Sequence, residues 1–94
     1  MRCLYVYAVE AIKAGAQSAA MLPIQVAVGR AVRRLRTRAG YSQEGFAEVV
    51  GVHRTYLGLI ERGAVNVTVT TLEKLATALG LTPSMLLTEA ASER

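Results

Sequence analysis

Residues 43–63 read QEGFAEVVGVHRTYLGLIERG. Apolar residues recur at the three- and four-residue spacing of a single helix face on both sides of Gly51. Glycine adopts a left-handed backbone at little cost, whereas a residue with a Cβ atom is strained there. The stretch therefore predicts two short helices that meet at a tight turn. Ala47 is small where they cross, and Leu57 and Ile60 face back toward the first of them.

A small residue, a glycine four positions later and two apolar residues beyond it are the sequence mark of a helix-turn-helix. The segment from about residue 28 to residue 87 resembles the Cro and phage-repressor type, often called the Xre family. HRTYLGLIERG at 53–63 is also similar to restriction–modification controller proteins. The resemblance implies an all-α fold, a compact five-helix repressor-like DNA-binding domain. The matching segments are Ser42-Gln43-Glu44, Gly51-Val52, Arg54-Thr55-Tyr56 and Glu61-Arg62-Gly63.

The composition favours an anionic partner. The chain has 94 residues, enough for one domain, and a formal net charge of +4. Nine of its eleven basic residues are arginine, whose planar guanidinium fits phosphates and guanine edges. Double-stranded DNA is the partner that this balance favours. The alternative is that the charge only keeps a small domain soluble.

The rarer residue types exclude several classes of site. Cys3 is the only cysteine, His53 is the only histidine, and the chain has no aspartate. One subunit therefore cannot build a disulfide framework, a His/Cys metal cluster or a catalytic triad that needs aspartate. A Ser–Lys or paired-glutamate site has no supporting spacing. We expect no enzyme activity, no metal and no cofactor, and a cytoplasmic protein that joins the nucleoid through DNA.

The sequence predicts three parts: an N-terminal extension at 1–22, the DNA-binding domain at 23–91 and a tail at 92–94. Apolar residues at positions 5, 9 and 12 favour an added helix that packs on the domain or on a second subunit. The alternative is that Met21 is the natural start and that residues 1–20 are upstream translation. The apolar run before Glu10 also resembles a secretion signal, but it is too short to span a bilayer.

The first helix of the domain is predicted to begin at or just after Pro23, which lacks an amide hydrogen. We interpret Arg30 and Arg34 on this helix as a solvated face. The resemblance implies another role for Arg36, because the matching arginine of the family pairs with the glutamate that matches Glu61. A carboxylate on the inner side of a helix needs such a partner. We therefore expect a structural ion pair between Arg36 and Glu61.

The second helix and the loop after the third are predicted to contact the DNA backbone. Ser42 is a good amino-terminal cap, and the resemblance implies that Gln43 binds a phosphate and braces the third helix. The resemblance also places Asn66 and Thr68 where related proteins touch phosphates. Glu44 would repel phosphates, so we expect it to face away from DNA.

The third helix is predicted to enter the major groove with the side opposite Leu57 and Ile60. Arg54 is the strongest candidate for reading a base, through two hydrogen bonds to guanine O6 and N7. The predicted base-reading residues are Arg54, Thr55, Gly58 and Leu59. The predicted phosphate-contacting residues are Ser42, Gln43, His53, Tyr56, Arg62, Asn66 and Thr68.

Two more helices are predicted to close the domain. Thr70 or Thr71 caps the fourth after an extended loop, and Thr82 caps the fifth. Met85 and Leu87 add more apolar surface than one small core uses, which indicates either a dimer seam or closure of the core over the first helix. The last five residues, AASER, are expected to fray.

These features predict a sequence-specific double-stranded DNA-binding transcriptional regulator that acts as a homodimer on a pseudo-palindromic operator. The alternative, from another class, is the antitoxin partner of a toxin, because such proteins use the same fold. An enzyme is a third reading, and the missing aspartate and the isolated histidine and cysteine argue against it.

Overall fold

The computed structural model describes residues 21–94, so the predictions for residues 1–20 lie outside the described residues. Residues 21–94 form five α-helices and no strand, which confirms the predicted fold class for this part of the chain. None of these helices is long and apolar enough to cross a membrane. The division at residues 22/23 and 91/92 stays a prediction. The helices are α1 (Ile24–Arg38), α2 (Gln43–Val50), α3 (Arg54–Glu61), α4 (Val69–Ala78) and α5 (Pro83–Ala91).

Side-chain caps fix where four of the helices begin. The Ser42 hydroxyl accepts a hydrogen bond from the Gly45 amide at the start of α2, and Thr82 accepts one from the Met85 amide at the start of α5. Both caps agree with the sequence prediction. The cap predicted for α4 is wrong. The Thr68 hydroxyl is the cap, because it accepts a hydrogen bond from the Thr71 amide, and α4 begins at Val69. The extended loop is therefore two residues shorter than predicted.

The core lies between α1 and the other four helices. α1 packs mainly against α5 and α3, while α2 packs against α3 and α4. Burial of the apolar stripe on each helix supplies the main stabilising free energy. The largest fully buried side chains come from every helix: Val32, Phe46, Leu57, Ile60, Leu75 and Leu86.

Gly29 sets the close approach of α1 to α3. A Cβ atom added to Gly29 would lie 2.2 Å from the Ile60 carbonyl oxygen and 2.8 Å from the Glu61 carbonyl oxygen. Real Cβ atoms do not come so near to backbone atoms. The absence of a side chain at this position therefore lets α1 pack directly on the carboxyl end of α3.

The carboxyl end of the chain contacts α1, which corrects the sequence expectation for Arg34. Arg34 is a paired and not a free surface charge: it contacts the Glu93 carboxylate at 2.7 Å and the Glu89 carboxylate at 3.1 Å. Hydrogen bonds to Glu93 and Glu89 raise the pKa of Arg34 above its ordinary value. The Arg94 guanidinium also donates to the Leu22 carbonyl. The last residues therefore make charged contacts to the first helix and to Leu22 before it, and their expected fraying stays a prediction.

Candidate nucleic-acid interface

The turn between α2 and α3 has the predicted left-handed glycine. Gly51 has a φ of 88°, and the amides of Gly51 and Val52 both donate to the Ala47 carbonyl, at 2.8 and 3.0 Å. Ala47 is only 2% exposed where the two helices cross. A larger side chain would have no room there, so the turn and the small residue together fix the angle at which α3 leaves α2.

A charged network behind α3 adds to the apolar contacts that hold it. The Arg36 side chain donates to both Glu61 oxygens, from Nε to Oε2 at 2.6 Å and from Nη2 to Oε1 at 3.0 Å. Gln43 Nε2 also donates to Glu61 Oε1 at 3.2 Å. The Glu61 side chain is only 4% exposed, so its charge depends on these donors. One carboxylate thus joins α1, α2 and α3.

The amino-terminal end of α3 presents an exposed polar surface. His53 is the N-cap, and its Nδ1 accepts a hydrogen bond from the Thr55 amide at 3.0 Å. In that tautomer the other ring nitrogen, Nε2, carries a hydrogen that is able to donate to a phosphate. Arg54 and Thr55 are exposed beside it. We call these three residues, His53, Arg54 and Thr55, the front of α3.

Glu44 lies next to the front of α3, which corrects the expectation that it faces away. Its carboxylate is 3.4 Å from the Arg54 guanidinium, and both side chains are exposed. The cause is the turn at Gly51, which brings the first turn of α2 beside the first turn of α3. Arg54 therefore has a carboxylate partner within the chain before any DNA is bound.

Gly58 is not on the outer surface, contrary to the prediction. It is buried, and a Cβ atom built there would lie 3.7 Å from the Gln43 amide and 3.9 Å from the Arg62 guanidinium. These two side chains cover Gly58 because Gln43 reaches across it to Glu61. We therefore assign no base contact to Gly58.

The other predicted contacts fall into two groups. Ser42, Arg62 and Asn66 are exposed, whereas Leu59 is half-buried and Tyr56 packs partly against the core. Thr68 is exposed, but its hydroxyl caps α4 and donates to Thr71 Oγ1 at 3.0 Å. The phosphate contact predicted for Thr68 stays a prediction, and in the absence of DNA its hydroxyl hydrogen is shared with Thr71.

A polar cleft lies beside α3, and the sequence reasoning missed one of its residues. The cleft has a volume of about 360 Å³. Its missed residue is Arg33, which is exposed and stands three positions before Arg36 on the same helix. Positions three apart share a helix face, so that spacing was the available signal. The cleft is lined by Arg33, Arg36, Gln43, Gly58, Glu61 and Arg62.

The arrangement suits recognition of an anion and not metal chemistry. Among residues 21–94 no group of three or more His, Cys, Asp or Glu side chains is placed to hold a metal ion. The exposed groups at the front of α3 and in the cleft are mostly hydrogen-bond donors. An α-helix with its side chains fits into the major groove of B-form DNA.

Comparison with known proteins agrees with this geometry. The family described as "Helix-turn-helix" matches residues 32–86. Control protein C.BamHI of Bacillus amyloliquefaciens is 42% identical over 65 residues, which cover 68% of this chain and 80% of that protein. Two solved structures share the fold. The restriction-modification controller protein C.AhdI from Aeromonas hydrophila has a TM-score of 0.63 and 45% identity over 66% of this chain and 94% of that one.

The second structure is SinR, a master regulator for biofilm formation, in complex with DNA. It has a TM-score of 0.60 and 34% identity, and the match covers 64% of this chain and 97% of that one. The match to the family covers more than half of the present chain, including the turn at Gly51 and all of α3. The chain therefore belongs to the helix-turn-helix family of DNA-binding transcriptional regulators.

Proposed function

We propose that the protein is a sequence-specific regulator of transcription, of the controller type, that binds double-stranded DNA as a homodimer. The observation that carries the proposal is the front of α3. Its three polar side chains are exposed, while Leu57, Ile60 and the Glu61 network pin the helix from behind. A recognition helix needs both properties, because a mobile helix would lose the geometry that separates one base from another.

We assign the contacts by what each side chain offers. Arg54 donates to guanine O6 and N7 in the major groove, and Thr55 and Leu59 contact base edges or a thymine methyl. The phosphate contacts position the helix and carry no sequence information. They come from Ser42, Gln43, His53, Tyr56, Arg62 and Asn66.

Exposed apolar residues support the dimer. Met85 is 48% exposed and Leu87 is 40% exposed, so the core does not use either of them fully. Leu87 also lines an apolar cleft of about 280 Å³ together with Ile24 and Val28 of α1. We propose that a second copy covers this region; a dimer that reads two half-sites needs its two recognition helices in successive major grooves, about 34 Å apart.

Selection of bound duplexes from a random pool tests the proposal. We expect an enriched motif with two inverted half-sites whose centres are about 10 base pairs, or a multiple of that, apart. Sedimentation of the protein with the selected duplex should give two chains per duplex. Enrichment of no motif, or one chain on a single half-site, would contradict the proposal.

Gln43→Ala should weaken binding to every duplex by a similar factor, because Gln43 is assigned to a phosphate and not to a base. The measurement is fluorescence anisotropy with the selected duplex and with an unrelated duplex of equal length. The ratio of the two dissociation constants should stay the same. A change in that ratio would mean that Gln43 takes part in base selection.

A further inference from the structure

The cleft beside α3 is built from three helices. Arg33 comes from α1, Gln43 from α2, and Arg62 follows the last residue of α3. Gly58 forms its floor and contributes no side chain, so the cleft stays open to solvent between the surrounding donors. Arg33 of α1 therefore lies beside α2 and α3, the two helices to which DNA contacts were assigned.

The cleft has a net positive charge, and part of that charge is not paired within the described residues. Three guanidinium groups face one carboxylate, Glu61. Arg36 is committed within the chain through all three of its side-chain nitrogens, since it binds both oxygens of Glu61 and also donates to the Tyr41 carbonyl at 2.9 Å. Arg33 and Arg62 are exposed, and within residues 21–94 neither has a salt bridge or side-chain hydrogen bond. Two guanidinium groups are thus available to an anion.

We propose that this cleft seats one backbone phosphate of bound DNA and that Arg33 is a phosphate-binding residue. Arg33 and Arg62 hold the phosphate from two sides. Gln43 Nε2 gives one hydrogen to Glu61 and has a second hydrogen for the phosphate. Guanidinium groups bind phosphate oxygens through charge-assisted hydrogen bonds. The inference rests on the proposed DNA-binding function and extends its contacts from α2 and α3 to α1.

The simplest rival is that Arg33 is one more solvated charge that attracts DNA from a distance. Arg38 provides the matched control. It is also an exposed arginine of α1 and shares a neighbouring hollow with Arg30, Arg33 and Arg34, but unlike Arg33 it does not line this cleft. Arg33→Ala and Arg38→Ala change the net charge by the same amount, so a larger effect of Arg33→Ala is assigned to the place of Arg33 in the cleft.

The test is a salt series of anisotropy titrations with the duplex that the wild-type protein selects and an unrelated duplex of equal length. Arg33→Ala should weaken binding to both by about tenfold, and the slope of log K against log salt should fall by about 1 per bound subunit. Arg38→Ala should leave the slope as it is in the wild type. Circular dichroism checks that each variant is folded.

Methylphosphonate replacement of single phosphates gives a second readout. In the wild type, one neutralised phosphate per half-site should weaken binding, and Arg33→Ala should be clearly less sensitive at that same phosphate, where Arg62 and Gln43 remain. Arg33→Gln serves in the same assay if the alanine variant unfolds. Equal slopes for the Arg33 and Arg38 variants, or unchanged sensitivity to every phosphate, would overturn the inference. A selection that yields no duplex bound by the wild-type protein would instead overturn the proposed function itself.

Discussion

At the scale of single residues, Glu61 is central to the packing of α3. Its carboxylate is buried and accepts three hydrogen bonds, two from Arg36 and one from Gln43. A buried charge without such donors is costly. The position of α3 therefore depends on a side chain that makes no contact with DNA in our assignment.

Glu61→Ala should lower the free energy of unfolding by about 3–5 kcal/mol, because it leaves the Arg36 guanidinium half-buried without its partner. Urea unfolding followed by circular dichroism measures the loss. Glu44→Ala, which removes an exposed carboxylate, is the control and should change stability by less than about 0.5 kcal/mol. Replacing Arg36 and Glu61 together by leucine should recover part of the loss. Similar unfolding midpoints for Glu61→Ala and Glu44→Ala would contradict this role.

The pair between Arg54 and Glu44 is the residue-scale feature closest to DNA. Because Arg54 must leave Glu44 to bind a guanine, Glu44→Gln should strengthen binding to the selected duplex by about two- to fivefold. Glu48→Gln is the control, since Glu48 is an exposed carboxylate of the same helix without that contact. Anisotropy measures both. The account is contradicted if the Glu48 variant gains as much, or if the Glu44 gain persists undiminished in an Arg54→Ala background.

At the scale of elements, the approach of α1 to α3 controls the position of the recognition helix. The contact is backbone to backbone at Gly29, close to the carbonyls of Ile60 and Glu61. Gly63 has a similar constraint, because an added Cβ atom would lie 2.7 Å from Val26 Cα. Two glycines thus bring α1 against the end of α3, next to the residues of the polar cleft.

Gly29→Ala should destabilise the fold by about 3 kcal/mol or more, because the new methyl group would overlap two backbone oxygens that cannot move independently. Gly58→Ala is the control, since its nearest neighbours lie at an ordinary contact distance of 3.7 Å. Alanine has the higher helix propensity, so this control should be neutral or stabilising by up to about 1 kcal/mol. Thermal unfolding measures both. If the two variants melt at the same temperature, the proposed close packing is wrong.

The sequence was sufficient for features that depend on neighbouring residues. The caps at Ser42 and Thr82 and the left-handed turn at Gly51 are local, and each has a residue type with a direct physical reason. The α4 cap was placed wrongly because three threonines stand within four positions, 68, 70 and 71, and each is a good cap.

Features that depend on distant residues were not predictable from local pattern, and the Arg36–Glu61 pair was predicted only through the family resemblance. The contact between Arg34 and Glu93 joins residues 59 positions apart. The burial of Gly58 results from the reach of Gln43 across α3, which no periodicity reveals. The same holds for Glu44, whose place beside Arg54 depends on how the turn orients two helices. The part of the candidate site that came from helix faces was predictable, and the part that came from packing was not.

At the scale of the whole described domain, charge is distributed unevenly across α3. One cleft beside it contains Glu44 and Glu48 together with His53 and Arg54. The other contains three arginines and Glu61, whose carboxylate is paired with Arg36. A DNA backbone approaching α3 is attracted to the arginine side and repelled by the two glutamates. This asymmetry favours one direction of the recognition helix along the groove.

The central claim is that Arg54 at the front of α3 reads a guanine in the major groove. Methylation of guanine N7 on the selected duplex tests it most directly, because N7 lies in that groove. Methylation of one guanine in each half-site should prevent binding of the wild-type protein, and Arg54→Ala should bind more weakly but ignore that methyl group. Wild-type binding that no guanine methylation affects, or an identical interference pattern for Arg54→Ala, would contradict the account.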